Sequence, residues 1–181
     1  MAVPGQGFEP ATGDGPEAAP GGRQAELRTA YEGLLQIRRL VNGPAGAAVP
    51  APWEVRQLPR AVALALEAAG IVPSALDAQG LRTRTGYRVA AGAEPGRAEV
   101  TWLGPAGGGA AGEEQERLTA CAAVLERLGW VCLLYRGPRK RRFLEVEPPG
   151  GPGGQGGQGA SGGPGAPGGS GGPGGRPLSR G

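Results

Sequence analysis

The basic run Arg139-Lys140-Arg141-Arg142 is the most concentrated group of charged side chains in the sequence. Four adjacent cations between two predicted strands can follow a row of phosphates, and two-stranded ribbons enter DNA grooves. Short Lys/Arg runs also occur as ordinary solvated turns, and the run alone favours that interpretation. On an extended chain Arg139 and Arg141 point to one side, and Lys140 and Arg142 to the other. The hairpin tip at 136–142 is therefore a candidate nucleic-acid contact.

The two cysteines, Cys121 and Cys132, are a candidate redox pair. Cys121 lies in a predicted helix and Cys132 near the start of the strand that follows. Both thiols are therefore expected at the same height across the helix–sheet interface. Both are flanked by Ala, Leu and Val, with no nearby base to lower a thiol pKa. We favour the interpretation that they are two small apolar side chains in the core.

Acidic and glycine-rich segments have structural explanations. Glu113, Glu114 and Glu116 open a predicted helix, where negative charge complements the positive end of the helix dipole. The stretch 104–112 follows a strand and precedes a helix, which is the setting of a phosphate loop. It lacks the Gly-Lys-Ser/Thr ending that such a loop requires. Neither segment predicts catalysis or nucleotide binding.

Tyr87 and Trp102 lie on predicted strands and could stack on bases, as aromatic residues on sheet platforms do. Both occupy positions that the strand period places inward. The alternation therefore favours packing in the core over base stacking.

Composition excludes several kinds of chemistry. The 181 residues include no histidine, and the two cysteines do not have CxxC spacing, so neither a metal site nor a cofactor is expected. The net charge of +3 is too small to imply a nucleic-acid partner by itself. No apolar run reaches the ~18 residues of a membrane span, and the N-terminus lacks a secretory signal. We expect a cytoplasmic, non-enzymatic protein with no membrane contact.

The order of predicted elements positions these residues. Apolar spacing predicts helices over 22–42, 58–69 and 113–128, with 71–83 irregular. Period-two alternation predicts a hairpin from strands around residues 87–89 and 98–102. We expect Arg88 and Glu99 to lie close together on its wet face.

A second hairpin is predicted to follow the third helix. Its first strand, 130–136, is apolar on both faces, which is typical of a central strand or of one whose outer face meets a partner. The next strand is expected to turn Leu144 and Val146 inward and Phe143, Glu145 and Glu147 outward.

The chain is predicted to form one α+β domain over 23–147, with two N-terminal helices before a β-hairpin, helix, β-hairpin unit. The unit forms a four-stranded, mostly antiparallel sheet. The Gly/Pro-rich ends at 1–22 and 148–181 are predicted to be disordered and dispensable, since they carry too few apolar residues to offset ordering entropy. The second of these tails resembles, in composition, the linker of bacterial single-stranded DNA-binding proteins. It lacks their acidic, apolar tip, so the resemblance implies no function.

All but one of the 19 basic residues are arginine, which together with abundant Ala, Gly and Pro is typical of a GC-rich coding genome. The function we favour is a small interaction module, an accessory or regulatory protein of a bacterial cytoplasm with an unknown protein partner. The alternative is a nucleic-acid-binding protein that uses the hairpin tip at 136–142.

Overall fold

The computed structural model describes residues 7–150; residues 1–6 and 151–181 lie outside the described range. The helices are α1 Arg23–Asn42, α2 Pro52–Arg56, α3 Leu58–Ala68 and α4 Ala110–Arg127. A 3₁₀ helix at Gly43–Ala48 follows α1, where Asn42, Gly43 and Pro44 end the regular helix. Each predicted helix is present, and Pro59 occupies the first turn of α3, where its missing N–H costs nothing.

The strands form two antiparallel sheets. Their bounds are β1 Ala75–Leu76, β2 Arg82–Arg84, β3 Gly86–Ala91, β4 Ala98–Leu103, β5 Val131–Arg136 and β6 Arg142–Glu147. The four-stranded sheet has the order β3-β4-β6-β5, and β1 pairs with β2 in a small second sheet. The predicted α+β fold is confirmed. The segment 71–83 was predicted to be irregular, and the β1–β2 pair corrects that prediction.

The core lies between α3 and α4 on one side and the inner face of the four-stranded sheet on the other. Strand alternation turns every second residue of each strand toward these helices. The buried inner face comprises Tyr87, Val89, Ala98, Val100, Trp102, Leu144 and Val146. The helices contribute Val62, Leu66, Leu118, Cys121 and Leu125. A smaller cluster of Leu27, Leu34 and Leu64 joins α1 to α3.

Strand β5 is an edge strand, so the first of the two predicted alternatives, a central position, is wrong, and the second, an outer face that meets a partner, stays a prediction. Strand β6 inserts between β4 and β5, with Glu99 opposite Glu145 on one side and Leu133 opposite Glu145 on the other. The far side of β5 therefore has no strand beside it among the described residues. Leu134 and Tyr135 remain 40% and 43% exposed.

The predicted pair of Arg88 and Glu99 does not form. The β3–β4 register places Arg88 opposite Thr101 and Glu99 opposite Ala90. Arg88 instead donates through Nε to the Asp14 carboxylate at 2.7 Å. The partner of Arg88 therefore comes from the N-terminal segment.

Residues 7–22 lie along the domain, which differs from the disorder predicted for 1–22. The main chain carries the contact: the Val89 N–H donates to Thr12 O at 2.7 Å, and the Leu76 N–H donates to Gly15 O at 2.9 Å. The Tyr87 hydroxyl donates to Ala11 O at 2.8 Å. Backbone groups need partners whatever the side chains are, so a segment poor in apolar residues can still dock through them.

Acidic side chains of this segment add ion pairs. Asp14 contacts Arg82 at 2.9 Å and Arg88 at 2.7 Å, and Glu17 contacts Arg84 at 2.7 Å. Residues 7–22 and residues 72–74 together cover the β3 edge of the sheet. The β5 edge, by contrast, has no strand beside it among the described residues. The predicted tail at 148–181 lies almost wholly outside the described residues.

Candidate functional site

The basic tip is a tight turn, not an extended strand. Pro138–Lys140 forms one short turn in which Arg139 and Lys140 have φ values of 56° and 60°. Two consecutive non-glycine residues in the left-handed region are uncommon and cost about 1–3 kcal/mol each. The Gly137 N–H donates to Arg141 O at 2.7 Å and closes the turn. The predicted alternation of the four side chains along a strand is therefore wrong.

Arg141 is held by the domain. Its Nε donates to Glu114 Oε1 at 2.7 Å, and its terminal nitrogen donates to Trp102 O at 3.0 Å. The second oxygen of Glu114 accepts the Arg142 N–H at 2.9 Å. Glu114 is buried, so its carboxylate anchors the hairpin to α4. Arg141 thus has a structural role that the basic run does not reveal.

Two other basic residues remain outward-facing. Arg139 and Lys140 are exposed, and neither has an acidic partner within 4 Å among the described residues. Arg142 is half-buried at the start of β6. The tip therefore presents a smaller cationic surface than the sequence suggests. Its role as a nucleic-acid site stays a prediction.

The outer face of the four-stranded sheet, made by the residues that alternate with the core, is apolar along β5 and at Phe143, whereas β3 and β4 also place Arg88, Glu99 and Thr101 on it. Tyr135 and Phe143 stack with ring centroids 5.5 Å apart, and α3 and α4 pack on the other face. The remaining apolar residues of the outer face are Ala90, Leu103, Val131 and Leu133. Among the described residues no helix or strand packs on this face, although Glu147 at its far end is buried and Arg88 on β3 contacts Asp14.

The other end of the outer face is charged. Arg97 contacts Glu145 at 2.8 Å and Glu147 at 3.2 Å, and it also reaches Glu94 at 3.3 Å. Glu147 is buried, yet neither carboxylate oxygen makes a hydrogen bond within the described residues. Glu145 and Glu147 face outward, as the sequence predicts, and the Arg97 guanidinium offsets the repulsion between them.

The cysteines lie in and beside the core. Cys121 is fully buried and Cys132 packs against the same cluster, and both are free thiols. Burial raises the pKa of each thiol to about 12. The carboxylate of Glu126 also contributes to the raised pKa of Cys132. Both thiols are therefore protonated near neutral pH, which agrees with the interpretation that they are small apolar side chains.

Tyr87 and Trp102 are buried in the core, so neither presents a ring to a base. Burial raises the pKa of the Tyr87 hydroxyl, whose single proton is donated to Ala11 O at 2.8 Å, with Ala63 O further away at 3.3 Å. The Arg117 guanidinium lies 5.7 Å from the Trp102 ring. Glu113 lies in the first turn of α4, where the helix dipole accounts for its charge, whereas Glu116 lies in the second turn because α4 begins at Ala110, earlier than predicted.

A buried ion pair, Arg38–Glu54, was missed by the sequence analysis. Both side chains are 0% exposed, and Arg38 donates to the two Glu54 oxygens at 2.8 and 2.7 Å. The remaining Arg38 nitrogen donates to Ala47 O and Leu128 O. Glu54 also accepts the Ala51 N–H at 2.7 Å. The pair joins α1, α2 and the end of α4, and its groups are satisfied internally.

Within residues 7–150 there is no helix with the length and apolar character needed to cross a bilayer. The same residues contain no cluster of three or more potential metal ligands. Searches against protein families, curated proteins and solved structures find no match to this chain.

Proposed function

We propose that this chain is a small non-enzymatic interaction module, an accessory or regulatory protein of a bacterial cytoplasm, which binds a protein partner. The observation that carries the proposal is the outer sheet face, with its stacked Tyr135–Phe143 pair. Contiguous apolar surface on a monomer is typical of interaction sites, and aromatic residues are enriched in such sites. The charged end around Arg97 supplies the polar rim that protein interfaces have.

Affinity capture with matched surface variants tests this proposal. Phe143→Lys and Ala90→Lys each place a charge on the outer face, on β6 and β3 respectively. Leu81→Lys is the matched control, because Leu81 is an apolar residue that is 66% exposed outside the sheet. Capture from the native host should recover a protein that binds purified wild type and Leu81→Lys. Both face variants should lose that protein by at least about tenfold.

Folding must be compared in the same experiment. The circular dichroism of each variant should match that of the wild type, and its melting midpoint should stay well above the capture temperature, since neither residue belongs to the core cluster although Phe143→Lys loses the stack on Tyr135. If both face variants retain every captured protein, or if nothing is captured above background, the interaction proposal for this face is rejected.

The alternative function, nucleic-acid binding through the hairpin tip at 136–142, is favoured by one observation. Arg139 and Lys140 project from a turn whose left-handed backbone holds them outward, free of acidic partners within the described residues. Unpaired cations held away from the domain suit contact with phosphates.

Salt dependence of binding distinguishes this alternative. The double variant Arg139→Gln, Lys140→Gln should lower the log–log salt slope on duplex DNA by about 0.9 for each lost phosphate contact. Arg141 is left unchanged, because its removal takes the cationic partner away from the buried Glu114 carboxylate. Arg28→Gln with Arg39→Gln on α1 is the matched control. Absence of salt-dependent binding to DNA or RNA at low ionic strength rejects the alternative.

A further inference from the structure

Among the described residues, one edge of the four-stranded sheet is covered by other segments and the opposite edge is not. The β3 edge is covered, since Val89 bonds to Thr12 and Tyr87 bonds to Val72 and Ser74. The β5 edge is bare among the described residues, and its sequence is Val-Cys-Leu-Leu-Tyr-Arg. Natural proteins block exposed edges with charged side chains, proline, bulges, short strands or a covering segment. β5 has no proline or bulge, its register against β6 is regular along its whole length, and its one charge, Arg136, is the last residue of the strand.

We propose that β5 pairs antiparallel with β5 of a second copy of this chain, with Leu134 at the two-fold axis. The proposal goes beyond the proposed function, because it concerns the strand edge and does not depend on a partner at the outer face. An antiparallel pair of identical strands is self-complementary and closes a symmetric dimer. The two sheets become one continuous sheet, as in strand-addition complexes.

Register follows from the strand's own alternation. Residues that face each other across an antiparallel pair must lie on the same side of the sheet. In a pair of identical strands, one residue must therefore face its own copy, and the two-fold axis lies between these two copies. With Leu134 on the axis, Leu133 faces Tyr135 of the second copy and Cys132 faces Arg136 of the second copy. This register covers Leu134 and Tyr135, the two exposed apolar residues of the strand.

Charge complementarity selects the same register. Arg136 is exposed and has no acidic partner within 4 Å among the described residues. Opposite Cys132 it comes next to Glu126, whose carboxylate is near enough to Cys132 to raise the pKa of that thiol. Glu126 is exposed and likewise has no cation within 4 Å in this part of the chain. Two symmetric Arg136–Glu126 pairs therefore form across the axis. An axis at Leu133 places Arg136 opposite Trp130 instead.

Sedimentation velocity over a concentration series tests the dimer. Strand pairing alone covers less area than a standard interface, so a micromolar dissociation constant is expected, on the order of 10–100 μM. Leu134→Asp should raise that constant at least about tenfold, because two carboxylates meet at the axis. Leu40→Asp is the matched control, since Leu40 is 73% exposed on α1. A wild-type chain that stays monomeric at ~200 μM, or a dimer unaffected by Leu134→Asp, overturns the proposal.

Exchanging the charges of the Arg136–Glu126 pair separates an effect on the dimer from an effect on folding. Arg136→Glu and Glu126→Arg should each weaken the dimer by about threefold to tenfold, and the double variant should restore it. Failure of the double variant to restore the dimer overturns the assigned pairing.

Oxidative cross-linking then reports the register. Leu134→Cys should form an intermolecular disulfide, because facing Cα atoms in antiparallel strands lie within disulfide range. Leu133→Cys should cross-link much less, and the wild type gives the background from Cys132. Preferential cross-linking at residue 133 overturns the Leu134 axis. These readouts use purified protein alone, so the interaction proposal can fail or hold separately.

Discussion

Replacing Arg38 by methionine is expected to lower the free energy of unfolding by about 3–5 kcal/mol, as for a broken buried ion pair. The substitution leaves the Glu54 carboxylate buried with only the Ala51 N–H as a partner. It also removes the donor from the carbonyls of Ala47 and Leu128. Each buried polar group without a partner costs about 1–3 kcal/mol, so the losses accumulate in one place.

Urea unfolding of a short series checks this expectation. Glu54→Gln should also be severely destabilising, because it removes the charge that Arg38 faces. The double variant Arg38→Met, Glu54→Leu should cost less than the two single variants added together, since no lone charge remains. Glu113→Gln, which removes an exposed pair with Arg117, should cost less than about 1 kcal/mol. An Arg38→Met cost below about 1 kcal/mol contradicts the structural role of the pair.

The sequence predicts the helices well and the ion pair not at all. The spacing of apolar residues predicts α1 and α3, because burial of one helix face is a local property. Arg38 lies on the same face as Leu34, one helical turn further on, and that position is a signal for a buried charge. Glu54 lies close to it only after α2 folds back on α1. A sequence pattern shows a polar residue on a core face but does not identify the residue that satisfies it.

Strand order could not be predicted for a similar reason. Alternation correctly assigned Leu144 and Val146 to the inner face, because the side-chain period depends only on the local backbone. Which strands are neighbours depends on pairing between residues far apart in sequence. The apolar character of β5 therefore fits both a central strand and a strand whose outer face meets a partner, and the observed strand order contradicts only the first.

The basic run shows how neighbouring like residues acquire different roles. Arg139 and Arg141 are two residues apart and chemically identical, yet only Arg141 contacts Glu114. That contact requires the N-terminal part of α4 to pack beside the second hairpin. The sequence places Glu114 near the start of a helix and Arg141 near the start of a strand, but it does not show that the two side chains lie close together.

Residues 7–22 are not disordered as predicted. The prediction counted the few apolar side chains that the segment can bury, whereas the segment docks mainly through its backbone. Gly13 is at the centre of the contact, with φ of 89°. A Cβ at Gly13 would lie 2.3 Å from Tyr87 O and 2.7 Å from Ser74 Oγ. Only glycine both adopts the left-handed conformation readily and allows this approach.

Gly13→Ala is therefore expected to undock the segment and to lower the free energy of unfolding by about 2–4 kcal/mol. Undocking removes Thr12 from the Val89 N–H, Ala11 from the Tyr87 hydroxyl and Asp14 from its arginines. Gly15→Ala is the matched control, because a Cβ at Gly15 meets nothing within 4 Å. Thermal melting should separate the two variants by several degrees. Hydrogen exchange at the Val89 amide should accelerate in Gly13→Ala only.

Removal of residues 1–22 should reproduce the Gly13→Ala midpoint, because both changes abolish the same contacts. If the truncated chain melts with the wild type, or if Gly13→Ala and Gly15→Ala melt together, the segment contributes nothing to stability, and the dispensable tail predicted from composition is the better description.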